Sequence, residues 1–215
     1  MKKESKKDLY AGLCALALFI LWTVLVRIID VKPIGPKESA VGFAALNGAF
    51  HSLTGVHMPL YVITDWLGLV PFGFAAGFAV LGLVQWIKRK KLSDVDRSLY
   101  VLGAFYAVTV AAYLLFETVV VNYRPVLIDG RLEASYPSST TMLVSCVMPT
   151  AIMQFNDRIK NKFLRQCFAV IITAFTVFMV VGRLFSGVHW LSDIIGGALL
   201  AIGLVMTYRY VVRMK

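Results

Sequence analysis

Residues 167–210 read CFAVIITAFTVFMVVGRLFSGVHWLSDIIGGALLAIGLVMTYRY. The two apolar runs in this stretch, near 167–184 and 189–210, each approach the roughly 20 residues that a helix needs to cross a hydrocarbon core. Backbone amides in lipid must find partners within their own segment, so runs of this kind are helices. The polar turn at Ser186–Val188 between them must then lie at or slightly within a membrane surface. The stretch predicts two adjoining helices with a polar turn at one membrane face.

The rest of the chain extends the pattern. Of its 215 residues, 59% are hydrophobic and only 16% charged, and the mean hydropathy of +0.74 is too high for a soluble domain of this size. Four further apolar segments lie near 9–27, 66–87, 98–121 and 139–156, with no internal repeat or low-complexity stretch. The expected fold class is all-α, a single domain over 1–215 built as a six-transmembrane-helix bundle with a long outer loop at 28–65. The first apolar run lacks a small-x-small site at its end, so it is read as an uncleaved helix rather than a signal peptide. Cys14, Cys146 and Cys167 fall in or beside apolar segments without metal-ligand spacing and are read as small core residues.

The formal net charge of +10 is distributed in short basic clusters between the apolar runs, which reports topology and gives no reason to expect a nucleic-acid partner. On one set of alternating loops stand 16 Lys and Arg residues, and on the other six. Cytoplasmic loops retain positive charge, so both termini are expected in the cytoplasm, in a multi-pass protein of the cell membrane. Arg27, Lys32, Lys37, Arg124, Arg131 and Arg183 then face outward. Three of these arginines sit in or beside polar motifs at helix ends, which places the expected chemistry on the extracytoplasmic face.

The strongest of those motifs is Gly182-Arg183-Leu-Phe-Ser-Gly-Val-His189-Trp-Leu-Ser-Asp193. Residues i and i+4 share a helix face, so Asp193 can accept a hydrogen bond from one imidazole nitrogen of His189 and leave the other nucleophilic. Arg183 can reach over the turn and grip phosphate oxygens in a bidentate manner. The plainer alternative is a satisfied polar pair at a helix start, anchored by Trp190. A second motif, Ser135-Tyr-Pro-Ser138-Ser139-Thr140-Thr141, opens the fourth apolar segment. Its hydroxyls can cap the helix, and the same exposed amides and positive dipole end form an anion site. The third, Asn122-Tyr-Arg124-Pro125, ends the third segment close enough in sequence for Arg124 to approach Ser138. Three polar helix ends can thus converge on one phosphate.

These residues resemble the type 2 phosphatidic acid phosphatase superfamily of lipid phosphate phosphatases and related haloperoxidases. Its motifs read Lys-x6-Arg-Pro, Pro-Ser-Gly-His and Ser-Arg-x5-His-x3-Asp, and this chain offers Arg124-Pro125, Pro137-Ser138 and Arg183-x5-His189-x3-Asp193 in the same order, within residues 117–193. The resemblance implies hydrolysis of a lipid phosphate or diphosphate through a phosphohistidine on His189, oriented by Asp193. Arg124, Arg183, Ser138, Ser139 and Thr140 would bind the phosphate. It implies no cofactor and no metal, since arginines and amides neutralise the phosphoryl charge. Partners are then membrane lipids and the lipid substrate, with the oligomeric state open. A catalytically impaired lipid-phosphate binding or transport protein is the second reading.

Two positions depart from the family pattern. Glu117 stands where the first motif has lysine; it is expected to point away from the phosphate or to pair with Arg124 or Arg183, the ion pair being favoured because a lone carboxylate in a membrane helix is costly. Thr140 stands where the family has the histidine that protonates the leaving group, and a hydroxyl is far too weak an acid to replace it. The remaining histidines, His51 and His57, lie in the outer loop and are candidates for the missing proton donor. Alternatively the leaving group needs no proton, as when a diphosphate is cleaved.

Overall fold

The computed structural model describes residues 2–214, with side chains from residue 6. Eight α-helices follow in order: α1 (Lys2–Ile28), α2 (Ala44–Thr54), α3 (Met58–Leu67), α4 (Val70–Arg89), α5 (Arg97–Thr118), α6 (Ser139–Arg158), α7 (Lys162–Phe185) and α8 (Leu191–Arg213). Apart from isolated bridges, no strand occurs among the described residues.

Five stretches are long and apolar enough to cross a membrane: Lys6–Ile28 in α1, Met58–Arg89 in α3 and α4 together, and α5, α7 and α8. The outer faces of these helices carry large exposed apolar side chains, among them Leu21, Phe72, Leu114, Ile171 and Phe178, which water would not tolerate in such density. The remaining expected span, the fourth in chain order, coincides with α6, which is too polar to qualify on composition. Its position explains the polarity. It packs against α4, α5, α7 and α8, with Val144, Cys146, Met148 and Ala151 fully enclosed. Thr150 turns its hydroxyl back to the Cys146 and Val147 carbonyls, and Gln154 donates to the Tyr208 hydroxyl at 2.7 Å. A helix surrounded by protein can carry polar side chains that meet one another, whereas its lipid-facing neighbours cannot.

The loop expected at 28–65 is more ordered than the sequence suggests, because it folds into α2 and α3 over one end of the bundle. Asn47 of α2, fully buried, donates to the Gly42 carbonyl at 2.7 Å and the Ser192 hydroxyl at 2.9 Å, and accepts from the Ser192 amide at 3.1 Å. This staples α2 to the first turn of α8. Helix α3 lies against α7, with only Gly68 and Leu69 between it and α4. The second apolar helical stretch therefore begins at Met58 rather than at 66, and Tyr61, Thr64 and Asp65 belong to a helix. Of the cysteines, Cys146 is buried but Cys14 is exposed on α1, which corrects the reading of all three as core residues.

Candidate active site

The turn between α7 and α8 is held from outside. Gly187 has φ +70°, and a Cβ there would stand 2.1 Å from the Gly55 carbonyl oxygen, so only glycine fits this close approach. The His57 amide donates to the Ser186 carbonyl at 3.0 Å. Together these contacts press the α2–α3 connection onto the turn that presents His189.

Asp193 opens α8 as a fully buried carboxylate. One oxygen accepts from the Trp190 amide at 2.9 Å and the Ser135 hydroxyl at 2.5 Å, and the other from Asn122 Nδ2 at 3.2 Å and the Ser192 hydroxyl at 3.3 Å. Four donors hold the charge without a cation, as a buried carboxylate requires.

His189 does not bond to Asp193 directly. Its Nδ1 lies 3.9 Å from Asp193 Oδ2, too far for a hydrogen bond, which corrects the contact expected from the i, i+4 spacing. The Ser135 hydroxyl stands between them, 3.0 Å from Nδ1. Its single proton goes to the carboxylate, so it accepts from Nδ1–H. That leaves the imidazole lone pair on Nε2, which faces Arg124 Nη1 at 3.5 Å. Burial and then the positive charges of Arg124 and Arg183 hold the His189 pKa well below 6.5, so the ring is neutral at pH 7.

Arg124 projects from the connection between α5 and α6, where its amide donates to the Glu133 carbonyl at 3.0 Å. Its guanidinium Nε lies 3.1 Å from Glu133 Oε2 but at an angle outside hydrogen-bond geometry, so that donor is unspent. Arg183, at 2% exposure, donates from Nε to Thr140 Oγ1 at 3.1 Å, from Nη1 to Thr64 Oγ1 at 3.3 Å and from Nη2 to Asp65 at 3.0 Å. Both guanidinium groups approach the Tyr61 ring, Arg183 at 4.9 Å and Arg124 at 6.0 Å from its centroid. An aromatic face between two cations offsets part of their repulsion.

Arg124, Arg183, Thr140 and His189 are therefore brought together, while the remaining expected residues divide. Ser139 lines a small cavity that His189, Ser135 and Glu117 also line. Ser138 is fully buried: its hydroxyl accepts from the Thr141 amide at 3.4 Å and its own amide donates to the Asp193 carbonyl at 3.0 Å. It caps α6 and ties it to α8. Thr140 acts as a seat for Arg183. Glu117 pairs with neither arginine, since Arg124 faces Glu133 and Arg183 faces Asp65; this corrects the expected ion pair.

Neither loop histidine reaches into the site through its recorded bonds. His51 Nε2 contacts the Gly187 carbonyl at 3.2 Å and its ring lies 5.4 Å from that of Trp190, whereas the His57 ring is exposed and bonds the Thr54 carbonyl at 2.9 Å. Both secure the loop.

Four residues that build the site had no role of their own in the sequence reading: Tyr61 and Asp65, and Asn122 and Ser135, which merely open two of the motifs. A signal existed for one of them. Asp65 is the lone carboxylate between residues 40 and 87, and an isolated acid in an apolar run needs a cation nearby.

Comparison with known proteins adds the family. No curated protein matches the chain in sequence. In structure it is similar to a transmembrane PAP2-type phosphatidylglycerolphosphate phosphatase from Bacillus subtilis, with a TM-score of 0.56 and 18% identity over 93% of this chain and 94% of that one. The model of the PAP2 superfamily matches residues 118–215, the part that supplies Arg124, Thr140, Arg183, His189 and Asp193. Over these residues the chain is similar to the PAP2 superfamily.

Proposed function

We propose that this chain is a metal-independent membrane lipid phosphatase that cleaves a lipid diphosphate through a phosphohistidine on His189. The observation that carries this reading is the neutral, buried imidazole whose Nε2 lone pair faces Arg124, with Arg183 close by. Nε2 attacks phosphorus, and the bond from phosphorus to the leaving oxygen breaks with its electron pair on that oxygen. Arg124 and Arg183 neutralise the phosphoryl oxygens as charge shifts, which is where most of the acceleration in phosphoryl transfer arises. For Arg183 this means exchanging its bond to the half-exposed Asp65 for one to substrate. Water then attacks the phosphohistidine, releasing inorganic phosphate and restoring the imidazole.

The choice of a diphosphate follows from Thr140. No imidazole stands there to protonate an alkoxide, and its hydroxyl is engaged by Arg183. A lipid monophosphate leaves from a diphosphate without a proton, whereas a monoester must expel an alkoxide. The purified protein should therefore release phosphate from a polyprenyl diphosphate at least about 100-fold faster than from phosphatidic acid. Equal rates on the two micellar substrates would count against the assignment.

The second reading, a lipid-phosphate binder with impaired catalysis, draws on the same Thr140 and on Glu117. A binder has little use for a nucleophile whose tautomer is set by a hydroxyl and a carboxylate, and that arrangement favours the enzyme.

We further propose six spans in one domain, with α6 as the enclosed fourth, both termini cytoplasmic and the site on the extracytoplasmic face of the cell membrane. The 16-to-six distribution of basic residues supports this orientation. Tags at either terminus should resist protease in intact cells and be cut after the membrane is opened. Cleavage in intact cells would reverse the orientation.

A further inference from the structure

Resting on the reading of His189 as nucleophile, we infer that Ser135 is a positioning residue that couples His189 to Asp193 through its hydroxyl. Asp193 Oδ2 is 3.9 Å from His189 Nδ1, beyond the reach of a hydrogen bond. The carboxylate cannot simply swing closer, because its two oxygens are fixed by the Trp190 amide and by Asn122, in addition to Ser135 and Ser192. Ser135 Oγ fills the gap, at 3.0 Å from the ring and 2.5 Å from the carboxylate.

Donor counting makes the hydroxyl directional. A serine hydroxyl has one proton and two lone pairs. With the proton committed to Asp193, only a lone pair remains for the ring, which must present Nδ1–H. The nucleophilic lone pair is thereby confined to Nε2, on the side of Arg124. As Nε2 bonds to phosphorus the ring becomes cationic. The stabilising negative charge of Asp193 then reaches the ring through the polarised hydroxyl rather than by direct contact.

Ser135 itself is placed by the backbone. Its amide donates to the Asn122 carbonyl at 2.9 Å, and three residues later the Ser138 amide is bound to the Asp193 carbonyl. The segment that starts α6 thus carries the hydroxyl to a defined point between the two catalytic groups. At 3% exposure the side chain is shielded from competing water. It does not reach the phosphate-binding donors, so it influences rate rather than affinity.

The test compares Ser135→Ala, Ser135→Thr, Asp193→Asn and His189→Ala in the full-length protein, using micellar polyprenyl diphosphate and measuring phosphate release together with thermal stability. Ser135→Ala should lower kcat about 10- to 100-fold, as loss of an orienting partner of a catalytic histidine does, while KM stays within about twofold. Ser135→Thr, which keeps the hydroxyl, should recover most of the lost rate. The Ser135→Ala, Asp193→Asn double variant should be little worse than Asp193→Asn alone, because both substitutions interrupt one connection. Wild-type kcat in Ser135→Ala, or a threonine variant no faster than the alanine one at matched stability, overturns the inference. Activity retained by His189→Ala would overturn the underlying assignment instead, and the two failures are distinguished by that variant alone.

Discussion

His189→Ala should lose phosphate release from lipid diphosphate by at least about 1,000-fold, the scale on which removal of a covalent nucleophile acts. Binding should persist, because Arg124 and Arg183 remain in place and the smaller side chain removes no phosphate-binding donor. Rapid quenching of the wild type with labelled substrate should yield an acid-labile phosphoprotein, and the variant should yield none. A variant that turns over at the wild-type rate would remove His189 from the chemistry. The pH dependence has a defined sign. A histidine held well below its usual pKa of 6.5 stays neutral as pH falls through 6.5, so the acid limb of kcat/KM in the free enzyme should lie below that value. A limb above 6.5 assigned to His189 would contradict the burial and the two positive charges that set its environment.

The second large effect runs in the opposite direction. Thr140→His should raise hydrolysis of phosphatidic acid by about 100-fold or more, because a positioned imidazole contributes on the order of 10²–10⁴ as a general acid. Diphosphate cleavage should gain nothing. It should fall several-fold, since Arg183 loses the hydroxyl that receives its Nε. The informative quantity is the ratio of the two rates, which moves toward monoesters whatever happens to overall expression. An unchanged ratio would mean that the weak acid at position 140 is not what separates the two substrate classes.

The fold and the site were legible to different depths, for physical reasons. Lipid-facing helices announce themselves, because nearly every side chain on them must be apolar. The expected limits of α5 and α8 lie within three residues of the observed ones, while α1 and α7 begin seven and five residues earlier than expected. Helix α6 was placed correctly at its start, since Pro137 and the hydroxyls of Ser138 and Ser139 mark a helix opening. The loop at 28–65 resisted. Its helices are only 11 and 10 residues long, and Asp65 and the nearby glycine interrupt the apolar run, so the pattern looked like loop until Trp66. That error hid Tyr61 and Asp65 from the site.

Spacing also overreached. The four-residue interval between His189 and Asp193 predicts a direct contact only if both lie on one regular helix. His189 precedes α8, which starts at Leu191, and Asp193 spends a lone pair on capping that helix at the Trp190 amide. The resulting gap is filled from a different part of the chain. No periodicity within 182–193 could have revealed that Ser135 would fill it.

The enclosed position of α6 has a consequence for biogenesis. A segment this polar gains little from entering lipid alone, and its Thr150 and Gln154 meet Tyr106, Ser98 and Tyr208 on helices synthesised before and after it. Helix α8, which brings Tyr208 to Gln154 and Asp193 to Ser138, leaves the ribosome after α6 and α7. Insertion of α6 and completion of the catalytic centre are therefore late, joint events. A nascent chain that stalls before α8 holds a membrane anchor without an enzyme.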